Sequence, residues 1–184
     1  MLFRSVEINS KKDLLIYSYR VAGTVGLMMA KILNVKDKNS LKSAIDLGIA
    51  MQLTNISRDV IEDAKNNRFY ISNSFESIKE TLKTSDLFYE SSFASIKKIP
   101  LSFRFSILVA RRVYRKIGYN ILSKKTIENY NNSGKIYVNK IGKIIQTFLS
   151  LYDLIRLSLI KDDDHLRYKE HQIINEEINL NERL

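Results

Sequence analysis

The sequence predicts an all-α chain, and three observations carry that expectation. One proline, Pro100, and six glycines leave long stretches free of helix breakers. Apolar residues recur at three- and four-residue intervals through most of the chain, and no segment alternates convincingly enough for a strand. With 184 residues, 45% hydrophobic and 27% charged, the chain is long enough for one domain with a substantial core.

The elements follow in order. Residues 11–34, KKDLLIYSYRVAGTVGLMMAKILN, form a first helix that ends in the polar turn NVKDKNS. Ser40 is the expected N-cap of a second helix over residues 41–64, stopped by KNNRFY. A third covers residues 75–97, ahead of the break at Pro100, and a fourth covers 101–122. A short helix spans 123–130, Asn132-Ser133-Gly134 marks a turn, and the last helix runs over 135–160. Residues 161–184 turn highly charged with scattered isoleucines, so this tail is expected to be a solvated helix or disordered, leaving 1–160 as the domain.

Composition narrows the function. Without cysteine there are no disulfides, zinc-thiolate sites or cysteine nucleophiles, and a reducing cytoplasm suits the chain. The two histidines, His165 and His171, both lie in the charged tail, which argues against histidine catalysis. No apolar run reaches the roughly 18 residues of a membrane span, and no basic-then-apolar leader opens the sequence, so a cytoplasmic location is expected. The formal charge of +10 calls for anionic partners: nucleic acid, an anionic membrane face or phosphorylated small molecules. Lysine and arginine are spread evenly, with no dense basic block, so no nucleic-acid partner is expected.

Two helices carry candidate chemistry. At about 100° per residue, Gln52, Asn55, Asp59 and Asp63 share an arc of roughly 80° beside the apolar stripe Ile45, Ile49, Leu53, Ile56, Val60 and Ala64. Two carboxylates one turn apart, preceded by an amide oxygen, suit a magnesium or manganese ion that shares its shell with phosphate oxygens. The competing reading is a solvated face with Arg58 and Lys65 as surface partners. In the first helix, Ala22, Gly23, Gly26 and Ala30 form a small-residue surface that something must approach closely. That is either a neighbouring helix or the wall of a pocket for a long apolar chain. Tyr17 and Arg20, one turn earlier, suit a diphosphate or a hydroxyl-mediated proton step.

These stretches resemble a known family. YSYRVAGTVGLMM (17–29) and DLGIAMQLTNISRDVIEDAKNNRFY (46–70) closely resemble the two signatures of the squalene/phytoene synthase family, the first in the wording of the phytoene synthase branch. IPLSFRFSILVARRVYRKIG (99–118) is similar to a later helix of that branch, and the likeness runs over about residues 10–145.

The resemblance implies a partial isoprenoid (terpenoid) synthase-type helical bundle that condenses two prenyl diphosphates head to head in carotenoid biosynthesis: geranylgeranyl diphosphate to phytoene via prephytoene diphosphate. It further implies Mg2+ as cofactor, with Mn2+ as substitute, and no NADPH. Carried over by position, Asp59, Asp63 and Asn55 hold the metal, with Gln52 beside them, and Arg58 meets the diphosphate. Tyr17, Val21, Ala22, Val25 and Gly26 line the substrate tunnel together with Arg20, and Tyr114 faces the cavity near the diphosphate. Lys135 takes the place of an expected arginine, keeping its charge but not its bidentate fork.

The departures shape the remaining expectations. The family carries another DxxxD on an earlier helix, whereas here only Glu7 and Asp13 precede the first signature, YSYRVAGTVGLMM. Arg4 stands where an aspartate is usual, and Ser72 where the second signature normally ends in proline. The chain is therefore expected to be the C-terminal part of a synthase, with Met1 an internal methionine of a longer ancestor and a separately encoded N-terminal half as partner. An inactive remnant is one alternative. A basic helical protein at an anionic membrane surface, motivated by the charge and the apolar last helix, is another; in the enzyme reading the same features give peripheral membrane contact.

Overall fold

A computed structural model describes residues 5–160 and 167–178; His165, Met1 and Arg4 lie outside the described residues. The expected first helix is one rod in three parts. Helix α1, Lys11–Ser18, starts at Ser10, whose hydroxyl accepts from the Asp13 amide at 3.1 Å. It widens into a π-helical turn over Tyr19–Gly23 and continues as α2, Thr24–Ile32. Such wide turns often sit at functional sites, and this one falls on the segment expected to wall a pocket. It leaves the Ser18 hydroxyl buried without a partner.

Helix α3, Lys38–Arg58, is the axis of the molecule. Its cap is Asp37 rather than Ser40. The Asp37 carboxylate accepts from the Ser40 amide at 2.9 Å and from its hydroxyl at 2.8 Å, so Ser40 sits inside the first turn. An ionised oxygen at the positive end of the helix outcompetes a hydroxyl three residues later. Leu41, Ile45, Ile49, Leu53 and Ile56 are buried along the whole length of α3, which packs against α2, α5 (Phe75–Phe93) and α6 (Leu101–Leu122).

The small residues of the first helix meet α3 backbone to backbone. A Cβ at Gly26 would lie 2.1 Å from the Ala44 carbonyl oxygen, and one at Gly48 would lie 2.2 Å from that of Ala22. Both sequence readings of this surface therefore apply to different atoms: the glycines seat α2 on α3, while Val21 and Val25 stay half-exposed.

The second helix does not run unbroken to 64. It stops at Arg58, Asp59 takes φ −106° and ψ 15°, and α4 resumes over Val60–Lys65. The Tyr130 hydroxyl lies 3.0 Å from the Ser57 carbonyl oxygen and 2.9 Å from that of Arg58, drawing those acceptors outward at the bend. Asn67, at φ 56°, then reverses the chain, since asparagine tolerates the left-handed region. Two short strands, β1 (Val6–Glu7) and β2 (Arg68–Phe69), pair in parallel, a bridge that no sequence alternation announced.

Helix α5 tightens into a 3-10 turn over Ala94–Lys98 before Pro100. The short helix α7 is Ile127–Asn131, capped by Thr126, and α8 is Lys140–Leu159, capped by Asn139. Both start later than the spacing implied, at the residues whose side chains accept the first free amides.

The tail holds structure where it is described. Helix α9, Lys169–Asn175, buries His171 and Ile174 against α1 and α3. Asp46, in the middle of α3 and only 2% exposed, accepts from Ser91 at 2.8 Å and from Arg167 at 2.9 Å. His171 Nε2 lies 3.0 Å from the Ser91 hydroxyl and 3.4 Å from the Asp46 carboxylate. A buried carboxylate on the core helix is thus compensated by residues more than 100 positions away.

Candidate active site

An apolar cleft of about 490 Å³ opens over α3 between α2, the 3-10 turn and α6. Val21, Ala22, Val25 and Gly26 form one wall, Met51 and Gln52 close the end toward the bend, and Ile107 and Ala110 face them. Of the tunnel residues named from sequence, Val21, Ala22, Val25 and Gly26 line this one cavity together with Gln52, whereas Tyr17 and Arg20 are not part of its lining.

Beyond Gln52, α3 and α4 present the oxygen atoms. Asp59 is gripped by its neighbour: Arg58 donates from Nε at 2.8 Å and from Nη2 at 2.5 Å. Side chains at i and i+1 do not face each other on a regular helix, so this pairing belongs to the unwound geometry at Asp59. The carboxylate in turn raises the pKa of Arg58, and Tyr114 lies within electrostatic reach of the same guanidinium. Lys135 Nζ is 2.9 Å from Glu62 Oε2 and 3.8 Å from Asp59 Oδ1, which raises its pKa. Lys65, the surface partner of the competing reading, is exposed, and the cation beside Asp63 is Arg68, at 3.9 Å.

Asp63 behaves differently from Asp59. Burial, then the charge of Asp59, pushes its carboxyl above the usual carboxylate range, with Arg68 only partly offsetting them. Two carboxylates that repel across one helical turn, half-desolvated, suit a cation. The nearby Asn55 Oδ1 is buried and has no hydrogen-bond partner, a vacancy that a buried polar atom rarely tolerates. The oxygens of Asn55, Asp59 and Asp63 are of the hard type that could hold a divalent ion such as magnesium. Among the described residues no three acidic or histidine side chains converge into a complete cluster. An ion here would draw its other ligands from water and substrate.

Tyr17 donates a 2.9 Å hydrogen bond to the Tyr70 hydroxyl, and the two rings lie tilted at 32° with their centroids 4.9 Å apart. Burial, then the Tyr17 bond, pushes the Tyr70 pKa far up, and the negative Asp63 adds to the shift. Tyr70 therefore offers a neutral hydroxyl dipole, not a base, close to Asp63. Arg20 is not brought to this site: its guanidinium lies 3.1 Å from Glu177 of the tail. Sequence reasoning missed Tyr70, Arg68 and Glu62 as site residues, although all three sit inside the quoted segment IEDAKNNRFY. It also missed Tyr130, whose contact with the bend no spacing could reveal.

A helical bundle with an apolar cleft beside four-spaced oxygen side chains, carried by its central helix, the bend after it and α4, is of the isoprenoid synthase type. The chain belongs to the squalene/phytoene synthase family, which matches it over residues 3–116. It is similar to the 15-cis-phytoene synthase of Enterobacter agglomerans, 37% identical over 131 residues covering 60% of this chain and 44% of that protein. It is also similar to the 15-cis-phytoene synthase of Paracoccus sp., 36% identical over 165 residues, 80% of this chain and 53% of the relative. Phytoene synthase 1, chloroplastic, of Arabidopsis thaliana is 32% identical over 160 residues, 72% of this chain and 37% of the relative. The chain thus spans about half the length, or less, of these curated relatives.

Proposed function

We propose that the chain is part of a prenyltransferase of the phytoene synthase type, joining two prenyl diphosphates head to head. The observation that carries this reading is the layout of the cleft: an apolar channel on Val21, Ala22 and Val25 ends at Gln52, one turn before the oxygens of Asn55, Asp59 and Asp63. A substrate with an apolar tail and a diphosphate head has the same polarity from end to end. Family membership and relatives named for phytoene synthesis support it.

In this reading the apolar wall excludes water from the allylic cation left when diphosphate departs, and Arg58 and Lys135 meet the departing oxygens. A bound magnesium ion would supply charge neutralisation on the diphosphate. The Tyr70 hydroxyl, kept neutral by burial and by the bond from Tyr17, sets a dipole beside Asp63 rather than a base. The cation alkylates the double bond of the second prenyl diphosphate, loss of a proton to the released diphosphate closes the cyclopropylcarbinyl diphosphate, departure of its own diphosphate and rearrangement of the cation follow, and loss of a second proton to that diphosphate ends the sequence, with no hydride from NADPH. The part of the relatives that this chain does not span is the expected partner in turnover.

A second reading, binding of prenyl diphosphate without turnover, is favoured by one observation: Asp59 already has both oxygens occupied by Arg58. One experiment tests both. The chain is incubated with geranylgeranyl diphosphate and Mg2+, alone and with a polypeptide covering the unspanned part of the relatives, and extracts are examined for a forty-carbon hydrocarbon. Product that disappears on Asp59→Asn supports the transferase. No product in any combination, with diphosphate still bound in titration calorimetry, leaves the binding reading, and neither product nor binding ends both.

A further inference from the structure

Arginines gather where α5, α6 and α8 meet, and carboxylates are unequally shared among them. Arg112 donates to Asp153 at 2.8 Å, and Arg115 lies 2.8 Å from Asp86 and 3.4 Å from Glu90. Among the described residues, Arg111 and Arg156 have no carboxylate partner. Arg111 is only 6% exposed, and its Nε and Nη2 both donate to one oxygen, the Tyr89 carbonyl, at 3.2 and 2.8 Å. Its Nη1 is left without a protein acceptor among the described residues. Burial, then the charge of Arg115, lowers the Arg111 pKa to about 10. A cation so far inside a protein normally faces a carboxylate. This one faces a cavity.

The cavity measures about 350 Å³. Phe93, Ala94 and Ile160 supply its apolar lining, Arg111, Arg115 and Arg156 bring positive charge to it, and Glu90 is the one carboxylate among its lining residues. Arg111 and Arg156 share the Phe93 ring, with Cζ 4.8 and 5.0 Å from its centroid. The ring face attracts each cation, but two like charges around one ring repel, and an anion within reach of both relieves that repulsion.

The lining selects the class of ligand. An anionic head suits the two unpaired guanidiniums, and an apolar body suits Phe93, Ala94 and Ile160. The charge of Glu90 penalises a second negative charge on the ligand. At the end of α8 the Ile160 carbonyl oxygen is already taken by Lys97 Nζ at 2.6 Å, so it does not stand bare against an anion. No residue lines both this cavity and the apolar cleft, and the 3-10 turn separates them, with Ala94 on this side and Ser95 and Ile96 on the other.

We propose that this pocket binds a small organic monocarboxylate, its head at Arg111 and Arg156 and its apolar body against Phe93, Ala94 and Ile160. The site does not rest on the transferase reading, because it uses none of the cleft residues and none of the four-spaced oxygens.

Benzoate is the probe and benzamide its uncharged counterpart, each titrated into the 184-residue chain and followed by saturation-transfer difference NMR. Benzoate is expected to saturate, at least about tenfold more tightly than benzamide. Arg156→Gln, at an exposed position of α8, is expected to weaken benzoate about tenfold with melting unchanged. Arg111→Lys, which keeps the charge and loses the fork, is expected to weaken it as well. Lys143→Gln removes an equal charge from the same helix roughly 20 Å away and is expected to change nothing. Absence of saturable benzoate binding, equal binding of benzamide, or undiminished binding by Arg156→Gln would each overturn the site. So would displacement of benzoate by inorganic phosphate at lower concentration than by acetate, which would mark a phosphate site. Binding that appears only in the triple variant Asp162→Asn, Asp163→Asn, Asp164→Asn would assign the pocket to the chain's own carboxylates and overturn it too.

Discussion

The pairing of α2 with α3 and that of α6 with α8 use apolar residues in opposite directions. In the first, the apolar stripe of α3 is buried from end to end and two glycines let the backbones touch. In the second, α8 is held to the bundle by a polar contact, Asp153 with Arg112, and keeps most of its aliphatic residues outside. Both helices carry apolar residues at three- and four-residue intervals in sequence. Periodicity therefore reveals a helix and the width of its apolar stripe, but which way the stripe turns is set by the neighbours.

The sharpest way to break the first pairing is a methyl group. Gly26→Ala or Gly48→Ala places a Cβ against a backbone oxygen that cannot move aside, and a loss of about 3 kcal/mol or more is expected in urea unfolding. Gly118→Ala, which meets only the Leu82 side chain at 3.2 Å, is the control and is expected to lose less than about 1 kcal/mol. The second pairing breaks through its charges. Arg112→Met alone strands a buried carboxylate and is expected to cost about 3 kcal/mol, most of it recovered when Asp153→Leu is added.

Smaller effects come from the site. The Asp63 carboxyl is raised above its ordinary value, so the fold favours its protonated form. That contribution is complete below 3.8 and is lost as pH rises through the higher folded value. Asp63→Asn is therefore expected to melt higher than the parent at neutral pH, with the gap closing on acidification. Magnesium is expected to stabilise the parent by about 1.4 kcal/mol at a tenfold excess over its dissociation constant, and the Asp63→Asn chain by less. Smallest of all, Phe148→Ser on the outer face of α8 is expected to shift stability by no more than about 0.5 kcal/mol. A large loss there would mean that the face is packed after all.

The helices were legible because helix breakers are rare and caps are local. The fourth helix, 101–122, is found where Pro100 and the apolar spacing put it. The cap of α3 was misplaced by three residues because Asp37 and Ser40 both fit the rule, and only the geometry shows which oxygen receives the amide. The register of Gln52, Asn55, Asp59 and Asp63 was readable, but the bend at Asp59 was not, since it depends on a hydroxyl from Tyr130. Arg20 illustrates the same limit: its position beside the glycine surface is local, whereas its partner, Glu177, comes from the far end of the chain.

The clamp on Asp46 bears on how the molecule is made. During synthesis α3, α5 and α6 leave the ribosome well before Arg167 and His171. Among the described residues, only Ser91 can then serve the carboxylate on the core helix. The bundle therefore acquires its compensating cation late, only once residues well beyond α6 and α8 have emerged.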